Sequence, residues 1–490
     1  MATVFGSKMQ DLEFRWFTNA YGDGWDIWRS LVSEWIGNFD YGIDQRRSAV
    51  TRFLEEYLVP NFIFTPQQYF FEAVPDYRQF IETTGLSVAY QVRQINEISI
   101  FIDWVIDKEY SEPNDNGVIV ALVNNPIDKE KSPIKKGETV YSPLPYSYIQ
   151  DLRKLLCPND NGYFSDWTWA ISQTGNKREN GSDNGRLGDW FYVDKSLIEE
   201  NDPDCVWREI RIEKDKIVLI GGVRSILKKG TYAYQLWSPV RAMVLYIKLH
   251  LPLRTYQVRM LDSGEADTWR YVNGQWQLNK KYDFASGSER APWQKGVYRR
   301  IRVPEIGDIM SGLYINTNKT ADRHKEEIDR GYVIPWEHKL VLRWLEKLRN
   351  WQEKYNPING QTSIHSLDIK HFGSTKTEVQ REAIGDICFL FRNASDTSVI
   401  ERQKPIAAGP VNGLWYLLLK ELEDKKFEVG ETLSNNKKIS LINSARNVTR
   451  FPLHSLRVSL ITCYSMEGDI PAPVLSTHVT HPAEPAMLSA

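Results

Sequence analysis

Residues 450–475 read RFPLHSLRVSLITCYSMEGDIPAPVL and place His454 and Arg457 one helical turn apart. An aromatic-proline pair leads into an apolar segment that carries several Ser and Thr residues, and a glycine follows it. This pattern predicts a helix that begins at the His-x-x-Arg. Side chains at this spacing share one helix face. They could bind a phosphate together or form a buried structural pair.

Two segments upstream bear on that choice. Residues 251–269, LPLRTYQVRMLDSGEADTW, follow a predicted apolar helix at 240–251 and contain Arg254, with Gln257 three positions later. SGLYINTN (311–318) and GYVIPW (331–336) bracket a polar turn, which predicts a β-hairpin. Lys319 lies in that turn, and Lys325 is the competing lysine.

In order and spacing, these segments resemble the catalytic boxes of the tyrosine recombinases, or phage integrases. The 251–269 block looks most like the long integrases of the gamma-mobile-trio type, and the resemblance covers roughly residues 220–480. It implies that Arg254, Lys319, His454 and Arg457 are catalytic. His481 stands where the family has a second histidine, although Thr480 replaces the glycine expected before it.

The resemblance also implies the chemistry. Attack on a phosphodiester spreads negative charge over its oxygens, and two arginine forks can hold that charge without losing their protons. His454 would donate a hydrogen bond or move a proton, and a lysine would protonate the leaving oxygen. No cofactor or metal is required. The alternatives to catalytic roles are that Arg254 is a surface arginine that caps a helix and that Lys319 is an ordinary turn lysine.

The nucleophile is the point of departure from the family. A tyrosine should follow the second histidine by nine or ten residues, but no tyrosine follows Tyr464 in this chain. The sequence therefore suggests a degraded or frameshifted integrase of a mobile element that binds DNA without cleaving it. The alternative is a catalytically inactive DNA-binding or regulatory protein.

Charge is balanced overall but segregated along the chain. The net charge is −2, yet residues 223–254 carry six Lys or Arg and no acid, and residues 290–303 carry five and no acid. Segregation of this kind favours a surface that faces a polyanion, although a solvated face is the alternative. The predicted DNA contacts are Arg241, Lys248, Lys295, Arg299, Arg300 and Arg302. The 17 Trp are most simply packing residues, with a stacking platform for bases as the alternative. An aromatic-rich binding module for sugars or proteins is a third possible function of the chain.

The predicted fold class is α+β and mostly helical. Residues 1–135 form a helical region that loosely matches the recombinase core-binding region, and 136–220 a loop-rich insertion. Residues 221–490 form the catalytic domain with a small β-hairpin sheet, an insertion at about 262–303 and an atypical tail at 476–490. Amphipathic patterns predict a first helix with Val50, Phe53, Leu54, Tyr57 and Leu58 on one face, and a second with Ile95, Ile98, Ile102 and Val105.

The remaining expectations concern location and partners. Four cysteines without metal-binding spacing, and the lack of a signal peptide or a long apolar run, predict a cytoplasmic protein with no membrane contact. Double-stranded DNA is the expected partner. The resemblance further implies a homo-oligomer on DNA and partner proteins from the same mobile element.

Overall fold

The computed structural model describes residues 11–39, 42–113, 119–131, 143–173, 188–303, 308–317, 330–376, 378–396, 398–432, 439–444 and 448–466. They fall into two compact units: residues within 1–138 together with 374–380, and residues within 139–373 and 381–490. Both helices and small antiparallel sheets are present, which confirms a mixed α+β chain. In this part of the chain, no helix combines the length and the apolar character needed to cross a lipid bilayer.

The first unit is built mainly from helices. Its elements are α1 (Arg15–Tyr21), α2 (Asp26–Gly37), α3 (Ile43–Arg52), α4 (Pro66–Phe71), α5 (Tyr77–Thr83), α6 (Val88–Glu109) and the pair β1 (Ser111–Pro113) and β2 (Ile119–Ala121).

Two predicted amphipathic helices form the core of this unit. The five apolar residues predicted at 50–58 are all buried, and α3 continues into a π-helical turn at Phe53–Leu58. On α6, the four predicted residues Ile95, Ile98, Ile102 and Val105 are buried as well. These helices are confirmed, because an apolar stripe at helical spacing has to be covered by its neighbours.

The second unit contains the remaining elements. Its helices are α7 (Tyr146–Leu156), α8 (Thr168–Ser172), α9 (Val240–His250), α10 (Thr255–Arg259), α11 (Lys339–Tyr355), α12 (Ile369–Phe372), α13 (Glu378–Glu382, which starts within 374–380), α14 (Val399–Arg402), α15 (Ala408–Glu428) and α16 (Leu456–Met466). Its strands are β3 (Trp190–Val193), β4 (Trp207–Arg211), β5 (Lys216–Ile220), β6 (Val223–Leu227), β7 (Tyr232–Trp237), β8 (Trp269–Val272), β9 (Gln275–Leu278), β10 (Tyr298–Val303), β11 (Asp308–Ile315), β12 (Tyr332–Ile334), β13 (Ile442–Asn443) and β14 (Val448–Thr449).

The strands pair only with antiparallel neighbours among the described residues. One three-stranded sheet has the order β3-β7-β4 and another β10-β11-β12, and the other strands form two-stranded hairpins. Asn273 and Gly274, with φ of 49° and 80°, make the two-residue turn between β8 and β9. Positive φ at both positions is what a tight hairpin with right-handed twist requires. The hairpin character predicted for 262–303 is confirmed here.

The predicted hairpin around the polar turn is also present. Leu313 pairs with Ile334 and Ile315 with Tyr332, so that β11 and β12 run antiparallel. Lys319 and Lys325 fall between these strands, outside the described residues.

Helix α9 lies at the centre of the second unit, since all eleven of its residues are buried. It packs against α7, α10, α11, α15 and α16. Residues predicted as a loop-rich insertion at 136–220 instead supply Leu152, Trp190 and Phe191, among others, to the same core. The Asn- and Gly-rich part of that stretch, 174–187, is outside the described residues.

Candidate phosphate-binding site

The C-terminal end of α9 is capped by side chains from distant segments. Arg153 on α7 donates from Nε and Nη2 to the Leu249 carbonyl, at 3.0 and 2.6 Å. The Tyr464 hydroxyl on α16 donates to the His250 carbonyl at 3.0 Å. The last carbonyls of a helix have no partner within it and carry partial negative charge. A cation and a hydroxyl therefore satisfy this helix end.

The turn that follows α9 binds two further cations. Arg457 Nη1 donates to the Pro252 carbonyl at 2.8 Å, and Lys248 Nζ donates to the Leu253 carbonyl at 2.7 Å. These two carbonyls belong to the residues that directly precede Arg254. The backbone leading to Arg254 is thus fixed by an arginine and a buried lysine.

Arg254 occupies the N-cap position of α10 and is half-buried. Gln257 Oε1 accepts the Arg254 backbone N–H at 2.9 Å, and Gln257 Nε2 donates to the Thr317 carbonyl at 2.8 Å. Because Thr317 lies just beyond β11, Gln257 connects the Arg254 turn to the hairpin that leads toward Lys319. The sequence pattern places Gln257 near Arg254 but does not reveal that Gln257 bridges this turn and the hairpin.

Burial and neighbouring positive charges lower the pKa of two side chains at this site. Burial, and then the positive charges of Arg457 and Arg254, lower the pKa of Lys248 to about 7. Burial and the charge of Arg254 also lower the pKa of Arg457, while Tyr332 on β12 acts in the opposite direction. Lys248, Arg254, Arg457 and the Tyr332 hydroxyl therefore share one environment. Like charges held together in this way favour a bound anion.

The structure places the other predicted catalytic residues as follows. His454 is exposed, in the 3₁₀ turn Leu453–Ser455 that leads directly into α16. Lys319 and His481 lie outside the described residues. Arg254 and Arg457 come together from segments of the second unit that are far apart in sequence. In the described part of the chain, no group of three or more His, Cys, Asp or Glu side chains is placed to hold a metal ion.

A family model described as "Putative integrase" matches residues 25–365 of the chain. This is more than half of the 490 residues. The chain belongs to this integrase family. The matched region includes Arg254, Gln257 and Tyr332 and ends before His454 and Arg457. Neither the curated proteins nor the solved structures include a significant match.

Two of the DNA contacts predicted for this integrase are buried. Arg241 donates from Nε and Nη2 to Asp189 Oδ2, at 3.1 and 2.9 Å, and both side chains are inaccessible. Lys248 is 1% exposed. A charge run in sequence does not reveal that α9 is surrounded by other helices. Since neither side chain reaches solvent, we do not retain either as a direct DNA contact.

The other four predicted contacts lie on or near β10 of the integrase. Arg299 lies 4.0 Å from the Tyr314 ring, Arg300 4.2 Å from Trp269, and Lys295 4.9 Å from Trp293. These three side chains are half-buried against aromatic rings, whereas Arg302 is exposed.

Successive residues of a strand point to opposite faces. Arg300 and Arg302 therefore share one face of β10, and Arg299 projects from the other. The three arginines cannot all contact one flat surface.

The acidic residues of the 251–269 block have structural partners in the integrase. Asp262 accepts the backbone N–H groups of Gly264 and Cys388, at 2.7 and 3.0 Å. Asp267 accepts those of Lys295 and Gly296, at 2.8 and 2.9 Å. Buried carboxylates with such partners hold loops together.

Glu265 in the same block forms a buried ion pair with Arg392. Its two carboxylate oxygens accept from the Arg392 guanidinium at 2.6 and 3.2 Å, and both side chains are inaccessible. Asp262, Glu265 and Asp267 thus stabilise the fold of this block. Their partners are loop N–H groups and Arg392, rather than the cations of the basic site.

A separate cavity of about 880 Å³ lies along α11 of the integrase. Its charged lining includes Asp204 paired with Lys347, and Asp202 paired with Lys354 at 3.0 Å. Because these acids and bases neutralise one another, the cavity has no excess charge that would attract DNA.

The sequence did not indicate that Arg153 and Tyr332 belong to the basic site. It also did not indicate the structural role of Lys248. Nothing in the sequence around Arg153 sets it apart from other helical arginines. Tyr332 stands in the predicted strand GYVIPW, whose partner strand could have indicated that it returns toward Arg254.

Proposed function

We propose that this protein is a tyrosine-recombinase-type integrase of a mobile element, in which Arg254 and Arg457 bind a DNA phosphate. The observation that carries the proposal is their convergence, since Arg457 donates to the carbonyl two residues before Arg254 and senses its charge. Arginine suits this role because its planar fork bonds two phosphate oxygens at once.

The cluster of positive side chains at this site supports an anionic ligand. Bringing Lys248, Arg254 and Arg457 together in a partly buried environment costs free energy through burial and repulsion. A phosphodiester would supply the opposite charge and recover part of that cost. Transition states of phosphoryl transfer carry their charge on the same oxygens, so that the arrangement would also favour the reaction.

The roles of the other candidates follow from the family resemblance. His454, one turn before Arg457, would donate a hydrogen bond to the phosphate, and His481 would serve as the second histidine. Lys319 or Lys325, in the segment after β11, would protonate the leaving oxygen. Gln257 supports that assignment, because it ties the Arg254 turn to the carbonyl of Thr317.

Binding and cleavage are separate in this proposal. The Tyr464 hydroxyl donates to the His250 carbonyl and is therefore engaged in the fold rather than placed to attack a phosphate. On this ground we expect the 490-residue polypeptide to bind duplex DNA without breaking it. The same surface would serve a catalytically inactive DNA-binding regulator, which is the second candidate function. Assembly as a homo-oligomer on DNA, with partners from the same element, is part of the first.

A salt titration of DNA binding tests the phosphate site. Arg254→Met and Arg457→Met should each weaken binding to a short duplex about tenfold or more. Each should also reduce the slope of log K against log salt by about one, because one phosphate contact is lost. Lys214→Met, at an exposed site remote in sequence from both arginines, is the matched control. Wild-type affinity and slope in both arginine variants would refute the proposal.

A suicide-substrate assay tests the cleavage part. The wild-type polypeptide should give no covalent protein–DNA adduct. If an adduct forms, mapping the linked residue identifies the nucleophile. Tyr332→Phe is the first variant to make, because Tyr332 adjoins both arginines. An adduct that Tyr332→Phe abolishes would replace the non-cleaving proposal with a different nucleophile.

A further inference from the structure

Lys248 is an unusual lysine because it is almost completely buried. It lies in the middle of the second unit's core, on a helix whose every residue is buried. A buried ammonium is costly unless it has a partner. Within the described part of the chain, that partner is the Leu253 carbonyl at 2.7 Å, and no carboxylate lies within ion-pair distance of Lys248.

The elements packed around α9 contribute positive or neutral groups on this side. Arg457 comes from α16, Arg254 from the N-cap of α10, and Arg153 from α7. At the N-cap of α11, the His338 ring lies edge-on to the His250 ring, and burial lowers the pKa of His338 to about 4 and that of His250 to about 3.

Asp189 pairs with Arg241 on α9, and Asp160 and Arg343 act on the Tyr246 hydroxyl, but the charges that act on Lys248 are those of Arg457 and Arg254. The buried face of α15 is apolar throughout, with Val411, Leu414, Trp415, Leu418, Leu419 and Leu422. Tyr332 on β12 adjoins the arginines, and burial raises its pKa. Lys248 therefore faces cations, neutral rings and apolar side chains.

We propose that Lys248 is a positioning residue of the phosphate site, which fixes the Leu253 carbonyl beside Arg254 and gains a counter-charge only when a DNA phosphate binds. This inference rests on the proposed function and deepens it. Lys248 does not need to touch DNA, because its hydrogen bond and its charge act through the Arg254 turn.

Proton uptake on DNA binding follows from this arrangement. With a pKa of about 7 in the free protein, Lys248 is mostly neutral at pH 8. A bound phosphate stabilises the protonated form and raises that pKa. By linkage, affinity should fall as pH rises above 7, by up to about tenfold per pH unit until the pKa of the bound state is reached.

Binding measured from pH 6.5 to 9 tests the inference, using one short duplex at constant ionic strength. Above about pH 7.5 this window lies beyond the ordinary range of histidine, so the slopes are compared there. Wild-type protein and Lys214→Met should lose affinity as pH rises. Lys248→Met, which keeps the length of the side chain without its charge, should bind about tenfold more weakly at pH 6.5 and show no such pH dependence. A Lys248→Met protein with the wild-type pH dependence would overturn the inference.

Calorimetry on the wild-type protein covers the case in which Lys248→Met does not fold. Titrations at pH 8 in two buffers with different ionisation enthalpies should reveal uptake of nearly one proton, and none at pH 6. No uptake at pH 8 would overturn the inference. The proposed function fails separately, when Arg254→Met and Arg457→Met bind DNA as the wild type does.

Discussion

At the residue scale, burial decides what each charged side chain can do. Arg241 and Arg302 both belong to basic stretches of the sequence, yet the first is paired with Asp189 in the core and the second is exposed. A guanidinium in the core contributes to the fold, whereas an exposed one is available to a ligand. Counting charges along the chain cannot separate these cases.

Arg241→Met should destabilise the protein without changing the DNA affinity of its folded fraction. The substitution leaves the Asp189 carboxylate buried without its partner, which costs about 3–5 kcal/mol. Thermal or denaturant unfolding measures the loss, and Arg241→Met combined with Asp189→Leu should recover much of it. A variant with unchanged stability would show that the buried pair is not formed.

Arg299 and Arg302 should respond differently to substitution because they lie on opposite faces of β10. If the face with Arg302 contacts DNA, Arg302→Ala should lower the salt slope by about one and leave stability unchanged. Arg299→Ala should lower stability by about 1 kcal/mol, since it removes the contact with the Tyr314 ring. Equal effects on the salt slope would contradict the alternation.

At the element scale, the end of α9 organises the site. The carbonyls of Leu249, His250, Pro252 and Leu253 accept hydrogen bonds from side chains of α7, α9 and α16. The geometry of the Arg254 turn is therefore set by elements far apart in sequence. This is a property of the packing of helices rather than of one motif.

Arg153→Met should destabilise the second unit by about 1–3 kcal/mol, because it removes charged hydrogen bonds from a helix C-terminus. Lys154→Met, at the exposed neighbouring position on α7, is the matched control and should change stability little. Chemical denaturation of both variants gives the comparison. A loss in Lys154→Met equal to that in Arg153→Met would remove the special role of Arg153.

Patterns within one element were readable from the sequence, and relations between elements were not. The stripes on α3 and α6 and the β11–β12 hairpin follow from periodicity and turn residues. On α11, the spacing predicts one apolar stripe of Leu340, Val341, Trp344, Leu345, Leu348 and Trp351. The last five are buried and Leu340 is half-buried. The burial of Lys248 and the contact of Arg153 with Leu249 depend on which helices surround α9, and no local pattern encodes that.

At the scale of the whole molecule, buried charge makes stability depend on pH in more than one direction. Burial raises the pKa values of Asp262 and Asp267 above the ordinary carboxyl value of 3.8. It lowers that of Lys248. The sign of each contribution follows from whether the folded or the unfolded chain binds more protons.

Between about pH 4 and neutrality, the two aspartates should reduce the free energy of unfolding as pH rises. Their folded-state pKa values are raised, so their contribution is fully present below the unfolded value and is lost as pH rises through the folded one. Asp262→Asn should flatten this slope in denaturant titrations, even though it also weakens one loop contact. An unchanged slope in Asp262→Asn would show that Asp262 does not titrate in this range.

The bond between Arg457 and the Pro252 carbonyl spans 205 residues of sequence. A ribosome adds roughly 5–20 residues per second, so the nascent chain carries the Arg254 turn for roughly 10–40 seconds before Arg457 exists. Throughout that interval one of the two phosphate-binding arginines is missing. The order of synthesis thus withholds a complete site from nearby nucleic acid until most of the polypeptide has been made.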